Sequence, residues 1–377
     1  MKSDYSVYRV ASKDSVGPKE GFYKALKKEV LEYLKINNQP QRGGKKMVLK
    51  CAIIFTIWIT SYIFTLYMGS INPWYMFFGL APMAFSSCFM QLGIMHDGSH
   101  KTVSESKKMN TFAAWTLGLA GASPFTWYQL HCVSHHNHTN IYKMDMDTET
   151  GDLVRLHVGN PRYGYQRYQH IYAWFLYHFH TLRYLLFDDI YEYLINYWHL
   201  SKTDLRRCLH EIVLVKSWHV SAYIIIPILI TGSFKVVFLY YLAHFMGLSF
   251  FVTTIFLLAH VTNVQKLPMS KKDTPKDWAI RQLETTADFA VNNKFLGWAI
   301  GGLNFQVEHH IFPNICSIHY PAIQKIVKRM SKEWNINYHE APTIWSAVKG
   351  HYFHLKRLGT TDTGSTPACA WRITNCR

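Results

Sequence analysis

Residues 51–100 read CAIIFTIWITSYIFTLYMGSINPWYMFFGLAPMAFSSCFMQLGIMHDGSH. They contain two apolar runs without a charged residue, 51–68 and 73–95, which are separated only by Gly-Ser-Ile-Asn. An α-helix rises about 1.5 Å per residue, so about 20 apolar residues cross the ~30 Å hydrocarbon core of a bilayer. The stretch therefore predicts two transmembrane helices in a tight hairpin, over about 48–69 and 73–95, with histidines directly after the second helix.

A second pair of apolar runs predicts another hairpin, over about 212–231 and 236–259, with Thr-Gly-Ser at its turn. Lys216 lies near one end of the first run, where its long stem can extend to the headgroups. The two tight turns contain only Lys235, whereas the rest of the chain outside the runs contains nearly all other Lys and Arg residues. By the positive-inside rule, both termini and the long loop between the hairpins are expected in the cytoplasm.

The composition agrees with an integral, multi-pass membrane protein. Of 377 residues, 49% are hydrophobic and 17% charged, whereas about a quarter of the residues in typical soluble domains are charged. The formal net charge is +16, and since the basic residues flank apolar spans, we relate it to the membrane and exclude nucleic acid as a partner. Seven cysteines without a C-x-x-C pair argue against a disulfide framework. We expect an all-α membrane protein with four transmembrane helices in two hairpins and a cytoplasmic helical cap.

Residues 1–47 are predicted to form a basic cytosolic arm with one amphipathic helix. Residues 20–36 place four apolar side chains at helical spacing between charges: Phe22, Leu26, Val30 and Leu34. Such a helix either lies on the membrane surface or packs on its own domain. Residues 48–359 are expected to form the functional domain, and 360–377 a disordered tail or an artificial extension.

Three histidine boxes lie on the predicted cytoplasmic side: HDGSH at 96–100, HCVSHH at 131–136 and QVEHH at 306–310. Residues four apart share one face of a helix, so the i, i+4 pairs in the first two boxes can each address one metal ion. Adjacent imidazoles point about 100° apart and can reach two ions. So many histidines predict at least two ions, whereas imidazole alone leaves Zn, Cu, Fe and Ni open. The chain lacks the Glu-x-x-His of soluble di-iron bundles.

The boxes resemble those of the membrane fatty acid desaturase family, and the Gln of the third box is similar to its front-end and linoleoyl-CoA-desaturase-like branch. Similar features are the Trp-Tyr before box two, Thr139-Asn140 after it, Asp145-Met-Asp147 and Phe312-Pro313. The resemblance covers about 50–330. It implies a non-haem di-iron site under the membrane surface with these histidines as ligands and catalytic residues: His96, His100, His131, His135, His136, His260, His309 and His310.

Other polar residues near the boxes receive supporting roles. Gln306 stands where family members can have His, so it either binds metal or contacts a ligand. Four carboxylates are expected to orient ligand imidazoles, with solvated surface positions as the alternative: Asp97, Asp145, Asp147 and Glu308. His138 is expected to be structural or to support a ligand. The remaining histidines of apolar and aromatic stretches are interpreted as satisfied core or interfacial residues: His170, His178, His180, His199, His210, His219 and His244.

The resemblance implies an O₂-dependent oxidoreductase that introduces a double bond into an acyl chain carried on lipid, CoA or acyl carrier protein. An unactivated methylene has no acidic proton or leaving group, so a metal-based oxidant is needed. The chain has no His-Pro-Gly-Gly of a fused cytochrome b5, no Gly-x-Gly-x-x-Gly and no iron–sulfur cysteine pattern. An external electron donor, a ferredoxin or cytochrome b5-type protein, is therefore implied, and the basic face suits such a donor, an acidic substrate carrier or anionic lipid.

Two alternatives stay open. An acetylenase or hydroxylase of the same di-iron family differs only in its product. A membrane metal transporter would need polar residues at the bilayer midplane, whereas the runs 51–68 and 73–95 contain no charge and the boxes lie beyond the apolar runs.

Overall fold

The computed structural model describes residues 9–10, 21–148, 151–196 and 200–361. It contains four helices that are long and apolar enough to cross a membrane, here called spans 1 to 4: Gly44–Ile71, Pro73–Ser99, Lys202–Thr231 and Phe234–His260. The four predicted spans are therefore present. Span 3 begins at Lys202, before its apolar run, because Ser201 caps the helix by accepting from the backbone N–H of Asp204 at 3.1 Å. Hydrophobicity marks where a helix enters a bilayer, not where it begins.

The spans pack against one another and against a helix that follows box two. Span 1 packs along span 2, and span 4 packs along span 2 and along helix Gln169–Arg183. Span 2 changes its helical type along its length: it starts with the 3₁₀ turn Pro73–Gly79, continues as Leu80–Phe89, widens into the π-helical segment Met90–Met95 and ends with His96–Ser99. Box two also lies in a π-helical segment, Tyr128–His135. Such segments occur frequently at functional sites.

The other elements surround the ends of the spans. The remaining α-helices of the described residues are Phe22–Ile36, Lys107–Ala120, Pro124–Trp127, His136–His138, Asp189–Tyr191, Trp278–Thr285, Lys294–Ala299, Gln306–Ile311, Tyr320–Glu333 and Ile344–Thr360. Short 3₁₀ helices are Met146–Thr148, Gly164–Tyr168, Lys271–Asp273 and Ser317–His319. Short strands at Arg9–Val10, Asp288–Phe289 and His339–Ala341 form one sheet with the last strand in its middle. Arg9 aligns with Glu340 in the antiparallel pair, and Asp288 aligns with Glu340 in the parallel pair.

The predicted amphipathic helix is present as Phe22–Ile36 and packs on its own domain. Its four apolar side chains are at most 2% exposed: Phe22, Leu26, Val30 and Leu34. They belong to a cluster with residues of helices Trp278–Thr285 and Tyr320–Glu333. The membrane-surface alternative is therefore wrong, because the protein's own side chains already cover the apolar face of this helix.

The region after box two differs most from the expected cytoplasmic loop. Helix Gln169–Arg183 continues through the π-helical segments Tyr184–Asp188 and Glu192–Asn196, and it is fixed to span 4 where the backbone N–H of Thr181 donates to Ser249 Oγ at 2.8 Å. Large apolar side chains of this segment are exposed: Ile171, Phe175, Phe179, Phe187, Ile190, Tyr191, Leu194 and Ile195. Charged residues and histidines interrupt this apolar stripe, so the sequence shows no long apolar run there.

Gly98 allows helix Lys107–Ala120 to approach box one. A Cβ atom on Gly98 would lie 2.4 Å from the backbone nitrogen of Ala114. We expect Gly98→Ala to lower the free energy of unfolding by about 1–3 kcal/mol, because the added methyl group meets backbone atoms and one of the two helices must shift. Thermal denaturation of the purified protein in detergent checks this, with Gly247→Ala as the control, since a Cβ there meets nothing within 4 Å. Equal melting temperatures for both variants would contradict the expectation.

Candidate metal centre

The histidines of the three boxes and His260 converge in one cluster. Box one ends span 2, His260 ends span 4, and the other two boxes lie on short helical segments packed between these ends. The imidazole centroids of His96 and His309 are 4.4 Å apart, and those of His135 and His260 are 4.6 Å apart. All eight histidines singled out by the sequence are brought together, although box one and box three are separated by about two hundred residues of chain.

The ring nitrogens of these histidines form several sets that could each hold a metal ion. In each set, one nitrogen from every histidine lies within 4.8 Å of the corresponding atoms of the other members. Two of these sets share no residue: the first is His96, His100, His131 and His309, and the second is His135, His260 and His310. His136 forms a further set with His309 and His310, and therefore adjoins both. A further set combines His131 and His135 with Asp147. The arrangement offers room for more than one ion.

Unsatisfied ring nitrogens show that the cluster fits a metal. In the described part of the chain, these buried nitrogens have no hydrogen-bond partner: His96 Nδ1, His135 Nε2, His136 Nδ1 and Nε2, His260 Nδ1, His309 Nε2 and His310 Nε2. A buried polar atom without a partner costs about 1–3 kcal/mol, and ligation would supply the missing partner. Imidazole-rich sites suit iron, zinc, copper and nickel, so the donor set alone does not choose the metal.

Two carboxylates orient imidazoles of box two. Asp147 Oδ2 accepts from His131 Nδ1 at 2.8 Å, and Asp145 Oδ1 accepts from His135 Nδ1 at 2.8 Å. Asp145 Oδ2 also accepts from the backbone N–H of Asn140 at 2.7 Å. A proton held at Nδ1 leaves Nε2 with a lone pair for a metal. The hydrogen bonds that the sequence predicted for these two carboxylates are present.

Two residues that the sequence analysis missed support box three. The Tyr320 hydroxyl lies 3.2 Å from His309 Nδ1. Gln282 Oε1 lies 3.1 Å from His310 Nδ1, and Gln282 Nε2 donates to the backbone carbonyl of His136 at 3.2 Å. Neither residue stands at a ligand spacing from a box, so only the folded chain reveals them.

The prediction that Asp97 and Glu308 orient ligand imidazoles is wrong. Among the hydrogen bonds of the described residues, neither carboxylate contacts a histidine of the cluster. Asp97 Oδ2 accepts from Ser317 Oγ at 2.6 Å. Glu308 lies beside Asp288 and Tyr338. The Tyr338 hydroxyl donates to Glu308 Oε1 at 3.3 Å. Burial, and then the charge of Asp288, raises the pKa of Glu308 well above its usual value. Each follows or precedes a box histidine directly, so it points about 100° away from that imidazole.

Gln306 contacts a histidine of the cluster, whereas His138 contacts the backbone of its own segment. The amide nitrogen of Gln306 lies 2.7 Å from His260 Nε2, and its Oε1 is buried without a partner in the described structure. Gln306 is thus placed to contact a histidine or a metal. His138 is absent from the sets described above, and its Nδ1 lies 3.0 Å from the carbonyl of Ser134. Burial, and then the charge of Lys271, lowers the pKa of His138.

The histidines outside the cluster have different environments. His219 is satisfied by the Ala120 carbonyl at 2.6 Å and the Tyr241 hydroxyl at 2.8 Å, as expected. His178 lies 3.1 Å from the Trp174 carbonyl, and His210 is exposed. His244 is buried, and neither of its ring nitrogens has a partner in the described residues, so the interpretation as a satisfied histidine is wrong for it. His170 has a hydrogen bond with the backbone of Arg167. His180 lines the cavity described below, and His199 lies outside the described residues.

Burial keeps most imidazoles of boxes two and three neutral. It lowers the pKa of His131, His136, His309 and His310 well below the usual value, and the charges that neighbouring imidazoles would carry add to this. Burial likewise lowers the pKa of His100 to about 3. For His135, burial lowers the pKa, but the charges of Asp145 and Asp147 raise it above its usual value overall. Neutral imidazole is the form that binds metals.

A cavity of about 560 Å³ adjoins the cluster. His96 and Asp147 line it on the cluster side, and much of its wall is apolar: Leu117, Ala120, Leu130, Leu248, Val252 and Phe256. Charged side chains from the segment after box two line it as well, among them Arg183, Asp188 and Glu192. Its volume lies in the range of about 300–1,000 Å³ typical of ligand sites. The cavity suits a long apolar ligand with a polar end.

Comparison with known proteins gives consistent matches over the same region. A family model described as fatty acid desaturase matches residues 71–342, which include all three boxes. An acyl-lipid (8-3)-desaturase of Physcomitrium patens is 32% identical over 352 residues, covering 91% of this chain and 72% of that protein. An sn-1 linoleoyl-lipid 6-desaturase of Arthrospira platensis is 31% identical over 364 residues, covering 92% and 95%. The protein of the same name from Synechocystis sp. is 31% identical over 346 residues, covering 90% and 96%.

Proposed function

The chain belongs to the fatty acid desaturase family, and from that membership we propose that it is an integral membrane enzyme that desaturates acyl chains of membrane lipids. The relatives above are named for acyl groups on lipids. The observation that carries the proposal is the convergence of three separated histidine boxes on a buried cluster beside an apolar cavity. A lipid-bound acyl chain is favoured over chains on CoA or acyl carrier protein because each of these relatives is named for acyl-lipid substrates.

We assign two iron ions to the cluster, with O₂ as co-substrate. The residues that would hold them are His96, His100, His131, His135, His136, His260, His309 and His310, with Gln306 beside His260. When bound, the irons would supply the activation of O₂ that removes hydrogen from an unactivated methylene. No thiolate belongs to this donor set. Imidazole binds both iron and zinc, but activation of O₂ requires a metal that changes its oxidation state, and zinc has no redox chemistry. Iron is therefore favoured.

The protein's own residues position the substrate and exclude water. The apolar cavity wall can hold an acyl chain against His96, and burial of the cluster keeps bulk water from the reacting carbons. Asp145 and Asp147 hold the protons on Nδ1 of His135 and His131. These contacts fix the orientation of the two rings and, in the neutral imidazole, leave the lone pair on Nε2 for the proposed ions.

The redox balance requires a partner. Conversion of CH₂–CH₂ to CH=CH releases two electrons and two protons, while reduction of O₂ to two water molecules consumes four of each. Two electrons and two protons must therefore come from outside the substrate. A ferredoxin or a cytochrome b5-type protein is the proposed donor, since the sequence contains no motif for a redox group of its own apart from the histidine boxes.

The membrane arrangement is part of the proposal. The four spans are proposed to form two hairpins, with the boxes, a cytoplasmic helical cap and both termini on the cytoplasmic side, because the Lys and Arg residues concentrate there. The desaturase domain is proposed to extend over 48–359, after a cytosolic N-terminal arm. The exposed apolar stripe of the segment 171–195 is proposed to lie at the bilayer interface. Of the predicted disordered tail at 360–377, Thr360 belongs to helix Ile344–Thr360, and 362–377 lie outside the described residues.

Expression in a host that lacks the relevant unsaturated lipids tests the function. Mass spectrometry of intact lipids and of their fatty acids should show a new double bond in acyl chains of complex lipids before it appears in acyl-CoA or acyl carrier protein. An alkyne or an alcohol in the product would instead favour the acetylenase or hydroxylase alternative. Readily exchangeable metal together with metal uptake by the cells, and no altered lipid, would favour a transporter.

Asp145→Ala is expected to lower desaturation about 10- to 100-fold. The change removes the acceptor of both His135 Nδ1 and the Asn140 backbone N–H, so the imidazole loses its fixed orientation. Product formed per hour in membranes, normalised to protein, measures the effect. Cys132→Ser is the control, because its thiol lies 3.8 Å from His100 Nε2 and is assigned no ligand role; the reverse order of effects would contradict the assignment.

A further inference from the structure

One short helix connects the protein surface with the histidine cluster. On the inner side of helix Trp278–Thr285, Gln282 contacts His310 Nδ1 at 3.1 Å and the His136 carbonyl at 3.2 Å. At its first turn, the indole Nε1 of Trp278 donates to the carbonyl of Ile311 at 3.2 Å. Ile311 is the next residue in the chain after His310, so the indole reaches a proposed iron ligand through one hydrogen bond and a few covalent bonds.

The outer side of this helix and the loop before it are basic. Residues 266–281 contain Lys266, Lys271, Lys272, Lys276 and Arg281 but only two acidic residues, Asp273 and Asp277. Lys271, Lys272 and Lys276 are exposed, and the Arg281 guanidinium lies 4.9 Å from the centre of the Trp278 ring. We call Lys271, Lys272, Lys276 and Arg281 the basic surface.

The positive charge of the basic surface is largely uncompensated within the described chain. Its four residues form none of the ion pairs found among the described residues, whereas Lys266 pairs with Glu284. Asp277 caps the helix through the N–H groups of Ala279 and Ile280, and Asp273 accepts from Ser270. Arg329, by contrast, is neutralised by Glu29 and Glu333.

We infer that the basic surface docks an acidic one-electron carrier protein and that Trp278 passes the electrons toward His310. The inference rests on the proposed function, whose balance requires two electrons from outside. A cluster of unpaired cations steers an acidic partner to its site. The partner would then lie over an aromatic ring that is bonded to the backbone beside a ligand, which gives the electrons a short path to the cluster.

A lipid headgroup or a phosphate of the substrate fits this surface less well. The residues that line the cavity come from positions 91 to 257, and none belongs to the basic surface. A substrate whose acyl chain occupies the cavity would therefore have its polar end near Arg183, Asp188 and Glu192 instead. The exposed apolar stripe that faces lipid in our proposal lies on the segment 171–195, which contains none of the residues of the basic surface.

Direct binding tests the docking surface. The variant Lys271→Glu/Lys272→Glu/Lys276→Glu is compared with Lys28→Glu/Lys325→Glu/Lys332→Glu, which changes the charge equally at exposed sites elsewhere. The full-length enzyme in nanodiscs of neutral lipid is titrated with plant-type ferredoxin and with soluble cytochrome b5. We expect one of the carriers to bind the wild type in a salt-dependent way, and the first variant to weaken this binding about tenfold or more at low salt. The second variant should bind within about twofold of the wild type.

Electron transfer is tested with Trp278→Leu. This variant keeps the basic surface, so its affinity for the carrier should match the wild type, while carrier-driven turnover at saturation should fall. Turnover with dithionite as a small reductant should stay at the wild-type level, because that reductant needs no docking site. A loss of turnover with both reductants would overturn the role of Trp278 as a relay.

The outcomes distinguish a failure of the docking surface from a failure of the proposed function. Equal weakening by the two triple variants, or normal carrier binding by the first one, would overturn the docking surface. Loss of binding to vesicles of anionic lipid by the first variant, with carrier binding intact, would assign the surface to the membrane instead. If the wild type forms no unsaturated product with carrier or with dithionite, the proposed function fails, whatever the binding data show.

Discussion

His135→Ala is expected to abolish desaturation while the protein stays folded in the membrane. His135 belongs to the set with His260 and His310, its Nε2 has no partner in the described chain, and Asp145 fixes its ring. Removing the imidazole takes away a proposed metal ligand without changing a residue of a span. Loss of a residue that only orients a ligand costs about 10–100-fold, so we expect a decrease of more than about 100-fold. Fatty acid analysis of expressing cells measures the product.

His138→Ala is the matched control for this substitution. It removes an imidazole three positions along the same chain segment, but one that is absent from the metal-binding sets and contacts the backbone of Ser134. Its product yield should lie within about twofold of the wild type, and both variants should elute as folded protein after extraction in detergent. Full turnover by the His135 variant would remove this residue from the ligand set.

Ala120→Phe is expected to block the substrate cavity while leaving the metal in place. Ala120 is 3% exposed and lines the cavity, and its backbone carbonyl is fixed by His219 at 2.6 Å. A phenyl ring there would occupy space that the acyl chain needs. Displacement of a substrate by about 1 Å can cost about 100-fold in rate, so desaturation should fall by a similar factor for long chains and less for shorter ones.

The control for this variant is Leu119→Phe, which enlarges the neighbouring side chain outside the cavity lining. Iron content should match the wild type in both variants, in contrast to His135→Ala. Product profiles for acyl chains of several lengths provide the comparison. An Ala120→Phe enzyme with the wild-type chain-length profile would show that the substrate binds somewhere else.

The spans and the histidines of the cluster could be predicted from the sequence because their signals are local. A charge-free run of apolar residues identifies a span, and i, i+4 or adjacent histidines identify a box, without knowledge of the tertiary fold. The segment 171–195 was missed because polar residues interrupt its apolar stripe. Its exposed apolar face becomes visible only when the helix is placed against span 4.

The residues around the ligands were harder to predict because they depend on packing. Gln282 and Tyr320 reach His310 and His309 from other helices, so no spacing connects them to box three. Asp145 and Asp147 were found because the loop after box two returns to it within a few residues. Asp97 was misassigned because closeness in the sequence does not set the direction of a side chain on a helix.

In the proposed enzyme, the three boxes and His260 hold two irons. The most direct test is the iron content of the purified enzyme after anaerobic loading with ferrous iron, measured together with its Mössbauer spectrum. We predict about two irons per chain in nitrogen-rich coordination, and a loss of iron in His135→Ala but not in His138→Ala. A single ion per chain, tightly bound zinc in place of iron, or equal iron content in the two variants would contradict the claim.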